Sequence, residues 1–315
     1  MINRRSFITG IKGTKLTKQE INFLNKYKPW GIILFSRNLK SVDQIRSLTK
    51  KIKKIFNDNK YPIMIDQEGG RVNRLNKFLS LDSFTSEYFG KIYVKNKKEF
   101  NLTYNLFIDK ISYFLLDLGI NINTVPVLDL RYKGSSNIIG NRSYSNNPNI
   151  VSEIGDICIK SFNKNSIGTV IKHIPGHGLA KVDSHNFTPT INKSMKFLIN
   201  KDFKAFKSKN NLFAMTAHVI FSKIDPVNTV THSKKIIKII REKIRFKNIL
   251  ISDDLSMKSL KYSIEQNTFK AFQAGCDLVL HCNGNLKEMS IVAINSPKVN
   301  TFIIKKTSEF YKNLS

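Results

Sequence analysis

The stretch that decides the fold is IGTVIKHI, residues 167–174. It is apolar or β-branched at almost every position, which is typical of a strand covered on both faces. Only its end departs from this character, because Lys172 and His173 are ionisable. The stretch therefore predicts a buried strand that delivers polar groups at its C-terminal end.

Seven other short runs share this character and alternate with segments of helical periodicity. The runs are SFITGI (6–11), WGIILF (30–35), YPIMID (61–66), NTVPVLDL (123–130), LFAMTAHVI (212–220), KNILISDDL (247–255) and CDLVLHCN (276–283). The helical segments are 17–28, 42–57, 104–118, 150–163, 193–209, 233–245 and 257–274. Eight strands alternating with helices predict an α/β fold, the (β/α)8 TIM-type barrel. A doubly wound sheet is the alternative, although neither G-x-G-x-x-G nor G-x-x-x-x-G-K-[ST] occurs.

Length and composition limit the class of protein. The 315 residues contain no internal repeat and no Pro-rich linker, so we expect one domain over residues 1–315. No apolar run approaches the ~20 residues of a membrane span, and the N-terminus lacks the apolar core of a signal peptide. The scattered cysteines Cys158, Cys276 and Cys282 do not suggest a disulfide framework. We therefore expect a cytoplasmic protein with reduced thiols and no membrane partner.

The net charge of +29 raises the question of nucleic-acid binding. Only ten of the 52 basic residues are Arg, and the Lys residues are spread over almost every segment. Phosphate and base recognition favours Arg forks on a clustered face. We therefore expect no nucleic-acid partner, whereas a general attraction for anionic ligands remains reasonable.

Polar side chains recur where several predicted strands end. They are Asp66, Asp129, Lys172, His173, His218, Asp253 and Asp254. A barrel of this type places its active site at the C-terminal ends of its strands. Five strands with the same feature favour a functional site over isolated structural groups.

The segment KHIPGHGLAKVDSH, residues 172–185, allows three interpretations. A metal site would use His173 and His177, but Pro175 and Gly176 between them prevent a shared helix face. A phosphate-binding loop would depend on only two glycines in this segment, which is a weak signal. An acid–base catalyst needs a carboxylate that accepts the ring N–H of a histidine, and Asp183-Ser184-His185 offers that pair.

An acid–base group needs a reaction partner, and Asp253 or Asp254 offers a carboxylate nucleophile. Strict alternation along a strand lets only one of the two point into the pocket, and periodicity does not say which. A carboxylate nucleophile with a proton donor and hydroxyl-binding side chains indicates glycoside hydrolysis with retention. A histidine in place of the usual acid carboxylate departs from that scheme.

Taken together, the motifs resemble those of the family 3 glycoside hydrolases. They are ILFSRN (33–38), IDQEGGRVNRL (65–75), PVLDL (126–130), GNRSY (140–144), KHIPGHG with DSH (172–185), MTAHVI (215–220), SDDLSM (252–257) and AGCDLVLHCN (274–283). The resemblance covers about residues 6–285. Within the family it points to the bacterial β-N-acetylglucosaminidases (β-hexosaminidases) of the NagZ type, which act in peptidoglycan recycling.

The resemblance implies a role for each matching position. Asp253 would be the nucleophile, His185 the general acid–base and Asp183 its orienting partner. The positions that would hold N-acetylglucosamine are Asp66, Arg74, Arg142, Lys172 and His173. His177 and Gly176 would shape the hinge of a loop that acts as a lid.

The function implied is removal of terminal N-acetylglucosamine from muropeptides of the N-acetylglucosaminyl-1,6-anhydro-N-acetylmuramic acid type. We expect no cofactor, no metal and no obligate protein partner. Two alternatives remain. One is a phosphorylase on the same scaffold, because a histidine acid–base does not repel phosphate and the surface is basic. The other is a non-catalytic sugar-binding barrel, against which the presence of a nucleophile argues.

Overall fold

The computed structural model describes residues 2–184 and 187–314, and eight parallel strands within them close into a barrel. The strands pair in chain order, and the first pairs with both the second and the last. They are β1 Arg5–Gly10, β2 Pro29–Leu34, β3 Ile63–Ile65, β4 Ile122–Asn123, β5 Gly168–Ile174, β6 Phe213–Thr216, β7 Ile249–Asp254 and β8 Leu278–His281. The predicted (β/α)8 TIM-type barrel is confirmed.

Helices surround the barrel. They are α1 Lys18–Tyr27, α2 Val42–Phe56, α3 Ser86–Lys95, α4 Lys97–Asp117, α5 Pro148–Lys164, α6 Met195–Asn200, α7 Asp202–Phe206, α8 Lys234–Glu242, α9 Ile264–Ala274, α10 Leu286–Asn295 and α11 Thr301–Asn313. Most begin after a Ser, Thr or Asn that accepts a hydrogen bond from a backbone N–H of the first turn, as Thr17 and Asn96 do. In residues 2–184 and 187–314, no helix is both long enough and apolar enough to cross a membrane.

The N-terminal end of the barrel is closed by α11. The indole Nε1 of Trp30, at the start of β2, donates to Thr307 Oγ1 of this helix at 2.9 Å. Phe213 lies between them, with ring centroids 5.5 Å from those of both Trp30 and Phe310. All four side chains are fully or almost fully buried. This packing leaves the C-terminal ends of the strands as the end where a cavity opens.

Two predicted strands end well before their apolar runs do. The fourth was predicted over 123–130 but ends at Asn123, because Pro126 has no N–H to donate to a neighbouring strand. Its continuation still lies against β5 through an isolated bridge between Val127 and Lys172. The sixth was predicted over 212–220 and ends at Thr216. Beyond it, the pair Ile220–Phe221 joins a separate two-stranded sheet.

Helix boundaries depart from the periodicity in three places. The segment 193–209 is interrupted at Lys201, whose backbone is not helical, and forms α6 and α7. The segment 257–274 becomes helical only after the N-cap Ser263. Met257 lines the cavity, and turns and bends connect it to the helix. The helix predicted over 104–118 begins already at Lys97. The helices α3, α10 and α11 lie outside the predicted helical segments.

Candidate active site

A cavity of about 370 Å³ lies at the C-terminal ends of the barrel strands, a volume within the usual range for small-molecule sites. Six of the eight predicted site residues line it: Asp66, Arg74, Arg142, Lys172, His173 and Asp253. Apolar atoms come from Phe35, Met215, Met257 and Leu280. The cavity thus combines charged groups with a partly apolar surface, as expected for a sugar with polar edges.

One side of the cavity is a charged wall formed by Asp66, Glu68, Arg142 and Lys172. Glu68 comes from a short antiparallel hairpin, Gln67–Gly69 with Val72–Asn73, that follows β3. The Lys172 Nζ lies 2.9 Å from Asp66 Oδ1 and 2.7 Å from Glu68 Oε1. It also donates to Thr124 Oγ1 at 2.9 Å. Three acceptors therefore match the three hydrogens of the ammonium group, which makes Lys172 the centre of the wall.

Glu68 joins Lys172 to Arg142. Arg142 Nε donates to Glu68 Oε2 at 2.7 Å and Nη2 donates to Oε1 at 2.8 Å, a bidentate pair. The carboxylate is 3% exposed. Burial raises the pKa of Glu68, but the attraction of Arg142 and Lys172 outweighs it and lowers the pKa to about 2. Glu68 thus keeps two cations side by side on one buried surface.

Asp66 is held ionised in the same way. Burial raises its pKa, but Lys172 and then Arg74 lower it well below its usual range. Arg74 lies at the edge of the wall, with Nη2 3.5 Å from Asp66 Oδ2 and its guanidinium 5.5 Å from the centre of the Phe35 ring. Arg74 is therefore oriented by a carboxylate on one side and an aromatic face on the other.

His173 is oriented by a buried carboxylate. Its Nδ1 lies 2.6 Å from Asp129 Oδ2, which indicates that Nδ1 carries the proton and donates it. This contact leaves Nε2 as the ring nitrogen available to the cavity. Burial raises the pKa of Asp129, but His173 more than offsets it and the pKa lies below its usual value. Asp129 thus remains an acceptor.

Asp253 and Asp254 both line the cavity, which strict alternation along a regular strand did not predict. The pairing of β7 with β8 shifts register between Ile251 and Asp254, so alternation fails there. The Asp254 carboxylate accepts hydrogen bonds from Ser256 N at 3.0 Å, Ser256 Oγ at 2.7 Å and Cys282 N at 3.0 Å. Asp253 Oδ1 accepts from Asp254 N at 2.8 Å. The Asp254 carboxylate thus ties together the ends of β7 and β8.

The cavity is also lined by His177 and Ser184, which belong to the loop segment 176–188 after β5. His177 is 2% exposed, and its Nε2 lies 3.0 Å from Ser184 Oγ. Burial, with the nearby His173, lowers the pKa of His177 to about 4. Asp183 is half-buried. Its partner in the predicted acid–base pair, His185, lies outside the described residues.

Within the described parts of the chain, no three His, Cys, Asp or Glu side chains are grouped so that they could hold a metal ion. The wall explains this observation, because each of its carboxylates already faces a Lys or Arg. His173 Nδ1 is bound to Asp129 and His177 Nε2 to Ser184. That no metal takes part stays a prediction.

The sequence matches the glycosyl hydrolase family 3 N-terminal domain over residues 6–306. The chain belongs to glycosyl hydrolase family 3. It is 34% identical over 283 residues to the β-hexosaminidase of Haemophilus ducreyi, covering 88% of this chain and 80% of that protein. It is 32% identical over 289 residues to the β-hexosaminidase of Neisseria meningitidis serogroup B, covering 90% and 79%.

Solved structures agree with this assignment of family. NagZ from Neisseria gonorrhoeae in complex with zinc ion has a TM-score of 0.87 and 28% identity, covering 98% of this chain and 90% of that one. The same protein in complex with N-trifluoroacetyl-D-glucosamine gives the same TM-score, identity and coverage. The resemblance to family 3 is confirmed, and this chain is a glycoside hydrolase whose relatives are β-hexosaminidases.

Two carboxylates to which the sequence pattern assigned no role are central to the geometry of this family 3 enzyme. Glu68 binds both Lys172 and Arg142, and Asp129 binds His173. Spacing offered a signal for Glu68, which lies two residues after Asp66 and so on the same side of an extended chain. Asp129 was visible only as a polar residue at a strand end.

Proposed function

We propose that this chain, with residues 1–315 as one catalytic domain, is a retaining exo-β-N-acetylglucosaminidase. Its substrates would be peptidoglycan-derived muropeptides of the N-acetylglucosaminyl-1,6-anhydro-N-acetylmuramic acid type. The observation that carries the proposal is the convergence of Asp253 and the charged wall on one cavity. The β-hexosaminidase relatives, and the glucosamine derivative bound by one of them, support the choice of sugar.

In the first step, the Asp253 carboxylate attacks the anomeric carbon as the bond to the leaving oxygen breaks. His185 donates a proton to that oxygen, and Asp183 orients the imidazole. In the second step, His185 removes a proton from water, which attacks the same carbon and releases Asp253. The two inversions give net retention. The firm tethering of the Asp254 carboxylate supports Asp253 as the nucleophile.

The wall provides recognition of the sugar. Arg142 has N–H groups beyond the two that bind Glu68, and Arg74 stands at the edge of the cavity. The three hydrogens of Lys172 already have acceptors. Lys172 therefore contributes mainly by keeping Asp66 and Glu68 ionised and in place. A sugar hydroxyl would bind the carboxylate oxygens and Arg side chains that Lys172 fixes.

Water, rather than phosphate, is the acceptor that the charge balance favours. The buried cations of the wall, Lys172 and Arg142, are paired with Asp66 and Glu68. Such pairing leaves little uncompensated positive charge to bind a phosphate dianion. We therefore expect free N-acetylglucosamine as the product, with the same yield whether or not phosphate is present.

The test is hydrolysis of 4-nitrophenyl N-acetyl-β-D-glucosaminide, with the corresponding β-glucoside as the control substrate. Early proton NMR spectra should show the β-anomer of N-acetylglucosamine. Absence of hydrolysis would overturn the proposal and favour a sugar-binding barrel. A sugar 1-phosphate product would favour the phosphorylase. An α-anomer would exclude a covalent glycosyl-Asp253.

The same assay tests the expectation that no metal takes part. Incubation with EDTA should leave turnover unchanged, because the proposed steps use only carboxylates and imidazoles. Loss of activity in EDTA that zinc restores would contradict this expectation. His173, His177 and His185 would then have to be reconsidered as ligands.

A further inference from the structure

The Asp129 carboxylate binds both ends of the turn that leaves β5. Its Oδ2 accepts from His173 N at 3.2 Å and lies 2.6 Å from His173 Nδ1. Its Oδ1 accepts from His177 N at 2.6 Å. Asp129 is fully buried. A buried carboxylate with three such donors has a defined position, so the turn HIPGH is fixed against the barrel.

The glycines beside His177 explain why its backbone can come so close to the barrel. At Gly178, a Cβ atom would lie 2.0 Å from the carbonyl oxygen of Leu130. At Gly176, φ is +140°, and a Cβ would lie 2.7 Å from the Cβ of Asp202. Only glycine fits at both positions without displacing backbone. The sequence GHG therefore places His177 directly over Asp129.

His177 extends this fixed point into the loop. Its pKa of about 4 leaves the ring neutral at ordinary pH, with one N–H donor and one acceptor nitrogen. Nδ1 has no hydrogen-bond partner among the described residues, whereas Nε2 meets Ser184 Oγ. A buried lone pair without a partner is tolerated better than a buried N–H without one. Nε2 is thus the nitrogen that donates, to Ser184.

We propose that Asp129, His177 and Ser184 are positioning residues for the acid–base step. They form a buried chain of hydrogen bonds from the barrel to the loop position next to Asp183. The proposal rests on the proposed function, since it gives Asp183 its role in orienting the acid–base. Loss of the contact between His177 and Ser184 impairs proton transfer and leaves the sugar-binding wall intact.

The test uses two substitutions whose side-chain amides take the places of different ring nitrogens of His177. In His177→Gln the amide reaches the position of Nε2 and keeps the contact with Ser184. In His177→Asn it reaches only the position of Nδ1 and loses that contact. Ser184→Ala removes the contact from the other side, and Ser112→Ala, on α4 and equally buried, is its control.

The readout is kcat/KM on aryl N-acetyl-β-D-glucosaminides with good and poor leaving groups. For His177→Asn and Ser184→Ala we expect a three- to ten-fold fall, about the value of one neutral hydrogen bond, on poor leaving groups only. The inhibition constant of N-acetylglucosamine should not change. His177→Gln and Ser112→Ala should behave like the wild type. Equal loss on all leaving groups, or weaker N-acetylglucosamine binding, would overturn the proposal.

Limited trypsin digestion separates this inference from the proposed function, because it needs no activity. Lys181 is exposed in the loop. Cleavage after Lys181 should be faster in His177→Asn and Ser184→Ala than in His177→Gln and the wild type. An unchanged cleavage rate would refute the positioning chain even if the enzyme is active. If the wild type hydrolyses no glycoside but His177→Asn and Ser184→Ala are still cleaved faster than it, the positioning chain is supported and only the proposed function is refuted.

Discussion

The charged wall and the loop segment 176–188 face the same cavity, yet different forces hold them. The wall is joined by ion pairs, with Lys172 between Asp66 and Glu68 and Arg142 bidentate to Glu68. The described side-chain contacts of the loop include hydrogen bonds between neutral groups, from His177 Nε2 to Ser184 Oγ and from Thr188 Oγ1 to the carbonyl oxygen of Ser259. The first arrangement is buried and fully charged, whereas the second carries no charge at ordinary pH.

The difference in energy suggests a division of labour. Removing one partner of a buried ion pair lowers folding stability by about 3–5 kcal/mol. A neutral hydrogen bond contributes only about 0.5–1.5 kcal/mol to stability. A rigid wall suits recognition, which needs fixed donors and acceptors. A loop held by weaker bonds suits proton transfer, which needs small adjustments between the two steps of the reaction. Substitutions on the two sides should therefore affect different kinetic constants.

The largest effect is expected at Asp253, on the barrel side. Asp253→Ala should reduce turnover by more than about 10⁴-fold, beyond the range for losing an acid–base group, because no carboxylate remains to form the glycosyl-enzyme. Asp254→Ala should act mainly by loosening the ends of β7 and β8, since its oxygens bind Ser256 and Cys282 N. Steady-state kinetics with thermal melts distinguish the two. Near-normal turnover of Asp253→Ala would contradict the assignment.

Next in size is the expected effect at His185, the predicted acid–base group. His185→Ala should slow turnover by about 10²–10⁴-fold, and least for good leaving groups, which need little protonation. The glycosyl-enzyme should accumulate, and azide should speed turnover and give a β-glycosyl azide. Asp183→Ala should show a milder form of this behaviour. Equal loss on all leaving groups without azide rescue would show that His185 is not the proton shuttle.

The barrel frame was predictable because buried parallel strands require continuous apolar runs. The run at 167–174 fell within one residue of β5, Gly168–Ile174. The run at 123–130 failed as a strand, because strand character in the sequence does not reveal where Pro126 stops the pairing. Alternation failed at Asp253 and Asp254, because a register shift depends on how two strands meet in space. Local pattern therefore predicts strands better than their irregular ends.

Six of the eight predicted site residues share one cavity, and their order in the chain explains why. Asp66 follows β3, Lys172 and His173 lie near the end of β5, and Asp253 lies near the end of β7. A barrel brings such strand ends together whatever their separation in sequence, and Arg74 and Arg142 reach the cavity from the loops after β3 and β4. The roles of Glu68 and Asp129 were not predictable in the same way. A buried carboxylate gains its partners from distant segments, as Glu68 does from Arg142 and Lys172. Only the folded chain shows those pairings.

A smaller effect is expected from Glu68→Gln, which tests whether the wall sets sugar affinity. The amide keeps one acceptor oxygen but loses the charge between Lys172 and Arg142. KM and the inhibition constant of N-acetylglucosamine should rise about 10- to 100-fold, equally for good and poor leaving groups. Glu87→Gln is the control, because Glu87 pairs with Lys91 and Arg131 at the surface. A change confined to poor leaving groups would place Glu68 on the proton-transfer side and contradict the division of labour.

The smallest effect concerns how the free energy of unfolding depends on pH. It distinguishes the wall from the loop, because Glu68 and His177 titrate in different pH ranges. Glu68 has a pKa of about 2 in the folded protein, so its contribution to stability is lost only as pH falls below the ordinary Glu value toward about 2. His177 has a folded pKa of about 4 against 6.5 in an unfolded chain. Between these two values the unfolded state binds a proton that the folded state does not, so stability falls as pH falls.

The wild type should therefore lose on the order of 3 kcal/mol more unfolding free energy than His177→Gln between pH 7 and pH 4. The wall pairs stay ionised over most of this range and contribute little to that difference. Other buried histidines, such as His232 with its pKa of about 3, titrate equally in both proteins and cancel. Urea unfolding at a series of pH values measures the difference. If the unfolding free energies of the two proteins changed in parallel with pH, His177 would not be held neutral in the folded protein. The contrast between a charged wall and a neutral loop would then be wrong.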